Sequence, residues 1–196
     1  MKKMLLHSCC GPCSSGVLGQ LANDYDVTIV FFNPNIHPED EYFKRLEAQK
    51  IIVDSMNNEY GYNVKLIEAD YKPETFFENT KGLEQEKEGG LRCHKCFEQR
   101  LEYTANFAKT HGYDIFTTTL SISPHKDYEL INLIGSKIAD RVGVDYMHAN
   151  FKKNDGYLNS IKNSKKYGIY RQKYCGCIYS KTESENYNKT KEDKIK

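Results

Sequence analysis

All seven cysteines of this 196-residue chain lie in three clusters, and that grouping constrains its fold more than any other feature. The first is His7-Ser8-Cys9-Cys10-Gly11-Pro12-Cys13-Ser14-Ser15, the second Cys93-His94-Lys95-Cys96, and the third Cys175-Gly176-Cys177. A free cysteine is usually a small buried hydrophobe, and such residues scatter along strands and helices. Clusters of three, two and two require a fold that gathers distant segments around sulfur. Disulfides do not explain them: the number is odd, the chain is too large to need stapling, and nothing suggests export. Lys2 and Lys3 are followed by only Met4, Leu5 and Leu6 before polar residues return. A signal peptide needs an apolar core of ~7–15 residues, so neither that signal nor a lipoprotein signal ending at Cys9 fits. No apolar run nears the ~18 residues of a membrane span. A cytoplasmic protein with no membrane partner is expected, and there close thiols serve metal or redox chemistry.

The thiols fall at the ends of predicted elements. Met4-Leu5-Leu6 reads as a short strand that gives way, at the first thiol cluster, to a helix with Val17, Leu18 and Leu21 on one stripe. Val27 to Phe32 is apolar throughout, as a central parallel strand covered on both faces should be. Asn33-Pro34-Asn35-Ile36-His37-Pro38 cannot be helical before either proline. A long helix is expected from Glu39 to about Asn57, a third strand at Val64–Ile67, and a short helix after Asp70-Tyr71-Lys72-Pro73. A helix from about His94 to Thr110 ends before Gly112, a fitting cap. Strand Asp114–Thr119, a helix from about Tyr128 to Val142 and a short strand Val144–Met147 complete the alternation.

Such alternation predicts an α/β fold with a doubly wound parallel sheet, one domain over residues 1–180. Residues 181–196, poor in large apolar groups, read as a mobile tail. Ligands of such sheets sit beyond the carboxyl ends of the strands. His7 to Cys13, Asn33 to His37, Asp70 and Ser121 to Lys126 all follow strands and are expected to line one rim. Cys93 and Cys96, at a helix start, are expected to share one side and to favour thiolate through the backbone N–H groups and the helix dipole.

Several chemistries fit. Cys-x-x-Cys with Cys-x-Cys can close a tetrahedral zinc site, but leaves Cys9, Cys10 and Cys13 idle. Cys10-Gly11-Pro12-Cys13 has the spacing of a dithiol redox site, but leaves the other thiols unexplained. An iron–sulfur cluster takes four thiolates and leaves three for a second metal or a reactive thiol, and only this reading employs all seven. Thiols occupy the turn where an ATP-using enzyme of this fold would hold its phosphate loop, which argues against ATP activation. His7, His125 and Lys126 are candidate proton donors. His37 and His94 stand near the rim, while His111 and His148 are incidental.

Charge is uneven although the net is only +1. In the basic C-terminal segment 150–180, Phe151 to Lys173 holds seven basic residues against the single acid Asp155, with Tyr157, Tyr167 and Tyr170 interleaved. Lys152, Lys153, Lys165, Lys166, Tyr170 and Arg171 are therefore candidates for RNA binding, cations for phosphate and rings for unpaired bases. A solvated helix face would have the same composition.

Five stretches together resemble a known family. They are Cys9-Cys10-Gly11-Pro12-Cys13, Phe32 to Pro38, Glu88 to Cys96, Thr117 to Lys126 and Gly168 to Ser180. In this order they are similar to the cobalamin-independent epoxyqueuosine reductases of the QueH type. The resemblance implies a HUP-like (adenine nucleotide alpha hydrolase-like) fold. It also implies reductive removal of the epoxide oxygen from epoxyqueuosine at the wobble position of tRNA, yielding queuosine. The cofactors it implies are a [4Fe–4S] cluster and an additional mononuclear iron, and the partners are tRNA and an electron donor that the sequence does not identify. Some relatives carry aspartate at the position of Cys13. Asn150-Phe151 stands where Asp-Phe is expected, which leaves Asp70 as the nearest carboxylate for the second iron. On this basis Cys10, Cys93, Cys96 and Cys177 are expected on the cluster and Cys9, Cys13 and Cys175 on the additional iron. The alternatives are an iron–sulfur tRNA thiolase on the same fold and a non-catalytic, zinc-stabilised RNA-binding module.

Overall fold

The computed structural model describes residues 1–193. β1 (Lys2–His7) runs into α1 (Gly11–Leu21), β2 (Tyr25–Phe31) into α2 (Glu39–Tyr60), and β3 (Lys65–Glu68) into α3 (Pro73–Asn79). Then come α4 (Leu91–Thr110), β4 (Ile115–Thr118), a 3-10 turn (Thr119–Ile122), α5 (Tyr128–Val142) and β5 (Asp145–Tyr146). α6 (Gly156–Lys166) and α7 (Ile178–Asp193) close the chain. The strands form one sheet in the order β3-β2-β1-β4-β5, and every neighbouring pair is parallel. The order reverses at β1, so the crevice of this doubly wound fold opens beyond the carboxyl ends of β1 and β4. The thiol turn follows β1 directly.

β1 is continuous and apolar because helices cover both its faces. Side chains alternate along it with a period of two. Met4 and Leu6 join Val17, Leu18, Ile29 and Ile52 in one layer, while Leu5 joins Val30, Phe97, Leu101 and Phe116 in the other. α6 lies hard against α1: a Cβ on Gly16 would stand 2.3 Å from the Gly156 carbonyl oxygen. Asn163 Nδ2 adds a 2.9 Å hydrogen bond to the Ser15 carbonyl. The basic segment is thereby fastened to the helix that begins with the thiols.

Two boundaries differ from the expected ones. α4 starts at Leu91 rather than near His94, because the Gly90 carbonyl accepts from the N–H groups of Cys93 and His94. α2 continues to Tyr60, where Gly61, with φ of 69°, caps it. In the segment read as a tail, residues 181–193 are helical, while 194–196 lie outside the described residues. Helix α7 needs no apolar stripe, because its start is docked. Buried Arg92 stacks on Tyr179 at 4.5 Å and reaches Glu183 at 3.5 Å. No described helix is long and apolar enough to cross a membrane.

Candidate metal centre and active site

The Sγ atoms of Cys9, Cys10 and Cys13 all lie within 4.8 Å of one another. The turn that makes this possible is held from below. Ser8 Oγ and Ser14 Oγ each donate to Gln49 Oε1 at 2.8 Å, and Asn33 Nδ2 donates to the Ser8 carbonyl at 2.8 Å. The thiols of Cys10 and Cys13 donate to Cys9 and hold its pKa well below the ordinary thiol value, against the effect of burial, and Lys126 and Arg100 add to the lowering. Cys13 is pushed up correspondingly, through its bonds to Cys10 and Cys9 and through burial. For Cys10 the bond from Cys13 works downward, but Cys9 and burial outweigh it and leave it at about 12.

The other four cysteines are less tightly drawn together: among the described residues only the triad has three sulfurs within 4.8 Å of one another. Cys96 and Cys177 pack together against Phe76. Burial raises the Cys93 thiol, and Cys175 and Cys177 add to the rise. Burial likewise pushes Cys96 up to about 12 against the pull of Arg100, with Cys175, Cys177 and Cys93 contributing. Both findings correct the expectation of thiolates at this helix start, since desolvation exceeds the effect of the helix end. Peptide N–H groups already point at two of the sulfurs. Gly89 N–H donates to Cys93 Sγ at 3.2 Å, and Ser180 N–H to Cys177 Sγ at 3.4 Å.

Cys175 and Cys177 reach the rim on a strap, residues 170–177, that α2 holds. Arg45, buried on α2, donates to the carbonyls of Cys175 at 2.9 Å and Tyr174 at 3.1 Å. Its Nε donates to Glu41 Oε1 at 2.7 Å, and Tyr170 donates to Glu41 Oε2 at 2.6 Å. Gly176, with φ of 141°, adopts a backbone that a side chain would strain, and a Cβ there would meet Arg45 Nη1 at 3.1 Å.

Above the thiols opens a cavity of about 470 Å³. Cys9, Cys13 and Cys175 line it together with Lys126, Tyr157, Arg171 and Lys173. His125, exposed, is also on the wall. Burial works against the Lys126 ammonium, yet Cys175, Cys9 and Cys13 more than offset it and keep it charged. His7 is not on the wall. It is fully buried, with Nδ1 2.9 Å from Thr118 Oγ1 and Nε2 3.1 Å from the Phe32 carbonyl. Burial first, and then Arg100, lower its pKa to about 4, so it is neutral and committed to the sheet rather than poised as an acid.

Three further expected residues are placed away from the thiols or occupied elsewhere. Asp70 is outside both the sulfur triad and the cavity wall. It follows an edge strand, faces solvent and pairs with Lys72 at 3.2 Å. Lys166 is paired with Glu59. Lys152 Nζ donates to the Lys126 carbonyl at 3.0 Å, bracing the cavity from behind. Lys153, Lys165 and Lys173 are exposed, and Arg171 lies over Tyr157 at 5.5 Å. Cys10 shares its turn with Cys9 and Cys13, but of the seven cysteines only Cys9, Cys13 and Cys175 line the cavity.

Sequence reading missed Gln172, which donates to Cys10 Sγ at 3.1 Å while its own Oε1 is buried without a partner. It also missed Arg100, whose spacing from Cys93 and Cys96 places all three on one face of α4. These residues fit a thiolate-held metal. Preassembled soft donors, N–H groups aimed at sulfur and buried polar atoms without partners are what such a group would satisfy.

An α/β domain with cysteines gathered at its sheet rim, three of them able to hold a metal, beside a basic and aromatic cavity defines the class of this protein. Within that class the chain matches the family model described as "Epoxyqueuosine reductase QueH" over residues 4–183. The chain belongs to this family. The epoxyqueuosine reductase QueH of Staphylococcus epidermidis is 47% identical over 180 residues, covering 91% of this chain and 76% of that one. That of Staphylococcus aureus is 46% identical, covering 91% and 75%. That of Streptococcus pyogenes is 43% identical over 177 residues, covering 90% and 69%.

Proposed function

We propose that this chain is an epoxyqueuosine reductase that removes the epoxide oxygen from the modified wobble base of tRNA and leaves the alkene of queuosine. One observation besides the family carries this reading: sulfurs and basic and aromatic side chains line one and the same cavity. The overall change consumes two electrons and two protons and releases water. Cys9, Cys13 and Cys175, the three sulfurs on the cavity, would hold the additional iron, and Cys10, Cys93, Cys96 and Cys177 the [4Fe–4S] cluster. When bound, these groups supply electrons singly and a Lewis acid for oxygen.

The protein's own part is binding and proton supply. Lys153, Lys165 and Lys173 attract the phosphates, and Arg171 with Tyr157 offers a stacking surface for a base taken out of the anticodon stack. Lys126, held charged beside the sulfurs, donates a hydrogen bond and then a proton to the departing oxygen, with His125 at the mouth as the route to solvent. An external one-electron donor restores the reduced state.

The test is anaerobic. Iron-loaded protein, a strong chemical reductant and tRNA bearing epoxyqueuosine should yield queuosine on nucleoside mass analysis. Loaded protein that leaves the epoxide intact would reject the reading. One zinc per chain without inorganic sulfide would point to a binding module.

A further inference from the structure

Arg100 is the most conspicuous charge in the molecule that this function does not employ. Its side chain, on α4, is 2% exposed. Nε donates to the Cys96 carbonyl at 3.2 Å, the guanidinium lies 5.7 Å from the Phe97 ring centre, and Nη2 is buried with no partner. Among the described residues no carboxylate pairs with it, whereas buried Arg45 has Glu41 and buried Arg92 reaches Glu183. Its surroundings are sulfur and other bases. Burial opposes the Arg100 cation, and Cys96, Cys9, Cys175 and Cys93 more than offset that effect. His7 and Lys126 both feel it as a repulsive neighbour.

A buried guanidinium with no anion is costly, by several kcal/mol even after relaxation. Here a second cation, Lys126, stands nearby, which deepens the imbalance. The imbalance disappears if the thiols are thiolates carrying a net-anionic metal group. Arg100 shares a face of α4 with Cys93 and Cys96 and is bonded to the Cys96 carbonyl, so its charge stands beside that sulfur pair.

We propose that Arg100 is the fixed counter-cation of the thiolate-bound metal site, a positioning residue that favours the reduced state. The inference rests on the metal reading above. Each electron added makes the site more negative, so a fixed positive charge in a low-dielectric setting stabilises the reduced form over the oxidised one. The substrate plays no part in this effect.

The test compares the iron-loaded parent with Arg100→Gln, which can still donate to the Cys96 carbonyl, and Arg100→Lys, which keeps the charge. Anaerobic redox titration followed by electron paramagnetic resonance gives the potential, alongside iron and sulfide per chain. Arg100→Gln should shift the one-electron equilibrium at least tenfold toward the oxidised form, a potential lower by 59 mV. Arg100→Lys should stay within about threefold of the parent. If Arg100→Gln fails to load, loading of Arg100→Lys to the parental level supports the charge requirement, and failure of both overturns it. An unchanged potential in fully loaded Arg100→Gln, or an equal shift in both variants, would show that Arg100 serves packing alone. A parent that takes up no iron rejects the metal reading itself, and this inference with it.

Discussion

Cys13 is the residue at which the triad is most open to substitution. It is half-buried and lies at the cavity wall, whereas Cys10 is enclosed. Cys13→Ala removes one of the three sulfurs on the cavity and none of the other four. Loaded Cys13→Ala should keep the visible absorbance of the cluster and lose epoxide reduction, while Cys13→Asp, with a carboxylate in place, should retain part of the rate. Cys93→Ala should lose the cluster absorbance; iron and sulfide analysis with single-turnover assays checks all three. The two best-placed bases separate as cleanly. Lys126→Met should stop turnover with little change in unfolding, because the side chain lies beside the cavity. His7→Leu strands the Phe32 carbonyl and the Thr118 hydroxyl in the sheet, at about 1–3 kcal/mol each. Its signature in denaturant titration is lost stability, with the rate per folded, loaded molecule near normal.

The elements show where the sequence could and could not be read. β1, β2 and β4 announce themselves because a strand covered on both faces is largely apolar, and the alternation with helices gives a parallel sheet, while the order β3-β2-β1-β4-β5 is read from the structure alone. The thiol turn was legible for the same reason: it follows the central strand. The strap was not. Arg45 and Glu41 look like ordinary surface charges of a long helix, and only the packing of residues 170–177 across α2 buries them. A stacked or paired arginine reads the same as a solvated one in a single sequence, as Arg100 also shows. The strap makes its own prediction. Glu41→Ala leaves the Arg45 cation buried without a carboxylate, and breaking such a pair costs about 3–5 kcal/mol. Because Arg45 also holds the Cys175 and Tyr174 carbonyls, metal uptake should fall along with stability. The double variant Glu41→Leu/Arg45→Met should recover part of the lost stability, since the stranded charge is gone, but not the metal uptake, since the carbonyl contacts are gone too. Denaturant unfolding and iron content for Glu41→Leu, Arg45→Met and the double complete the cycle.

At the scale of the whole molecule, a net charge of +1 hides a polarity that the fold makes useful. α6 is fastened to α1 through Gly16, Gly156 and Asn163, so the basic segment cannot drift from the thiol turn that begins α1. On the proposed reading, a phosphate backbone drawn to Lys153, Lys165 and Lys173 would be registered on the cavity. Not every lysine here serves that end. Lys166 is spent on Glu59, and Tyr167 donates to the same carboxylate at 2.7 Å. Replacing Lys153, Lys165 and Lys173 together by Gln should weaken tRNA binding and flatten its dependence on salt. Each lost phosphate contact lowers the slope by ~0.7 on single strands or ~0.9 on duplex, so a drop of about 2–3 is expected. Lys166→Gln should leave the slope unchanged, because that ammonium is neutralised within the protein. Filter-binding titrations with anticodon stem-loop RNA between low and moderate salt measure both. A slope that survives the triple replacement, or that falls with Lys166→Gln alone, would move the RNA off this face.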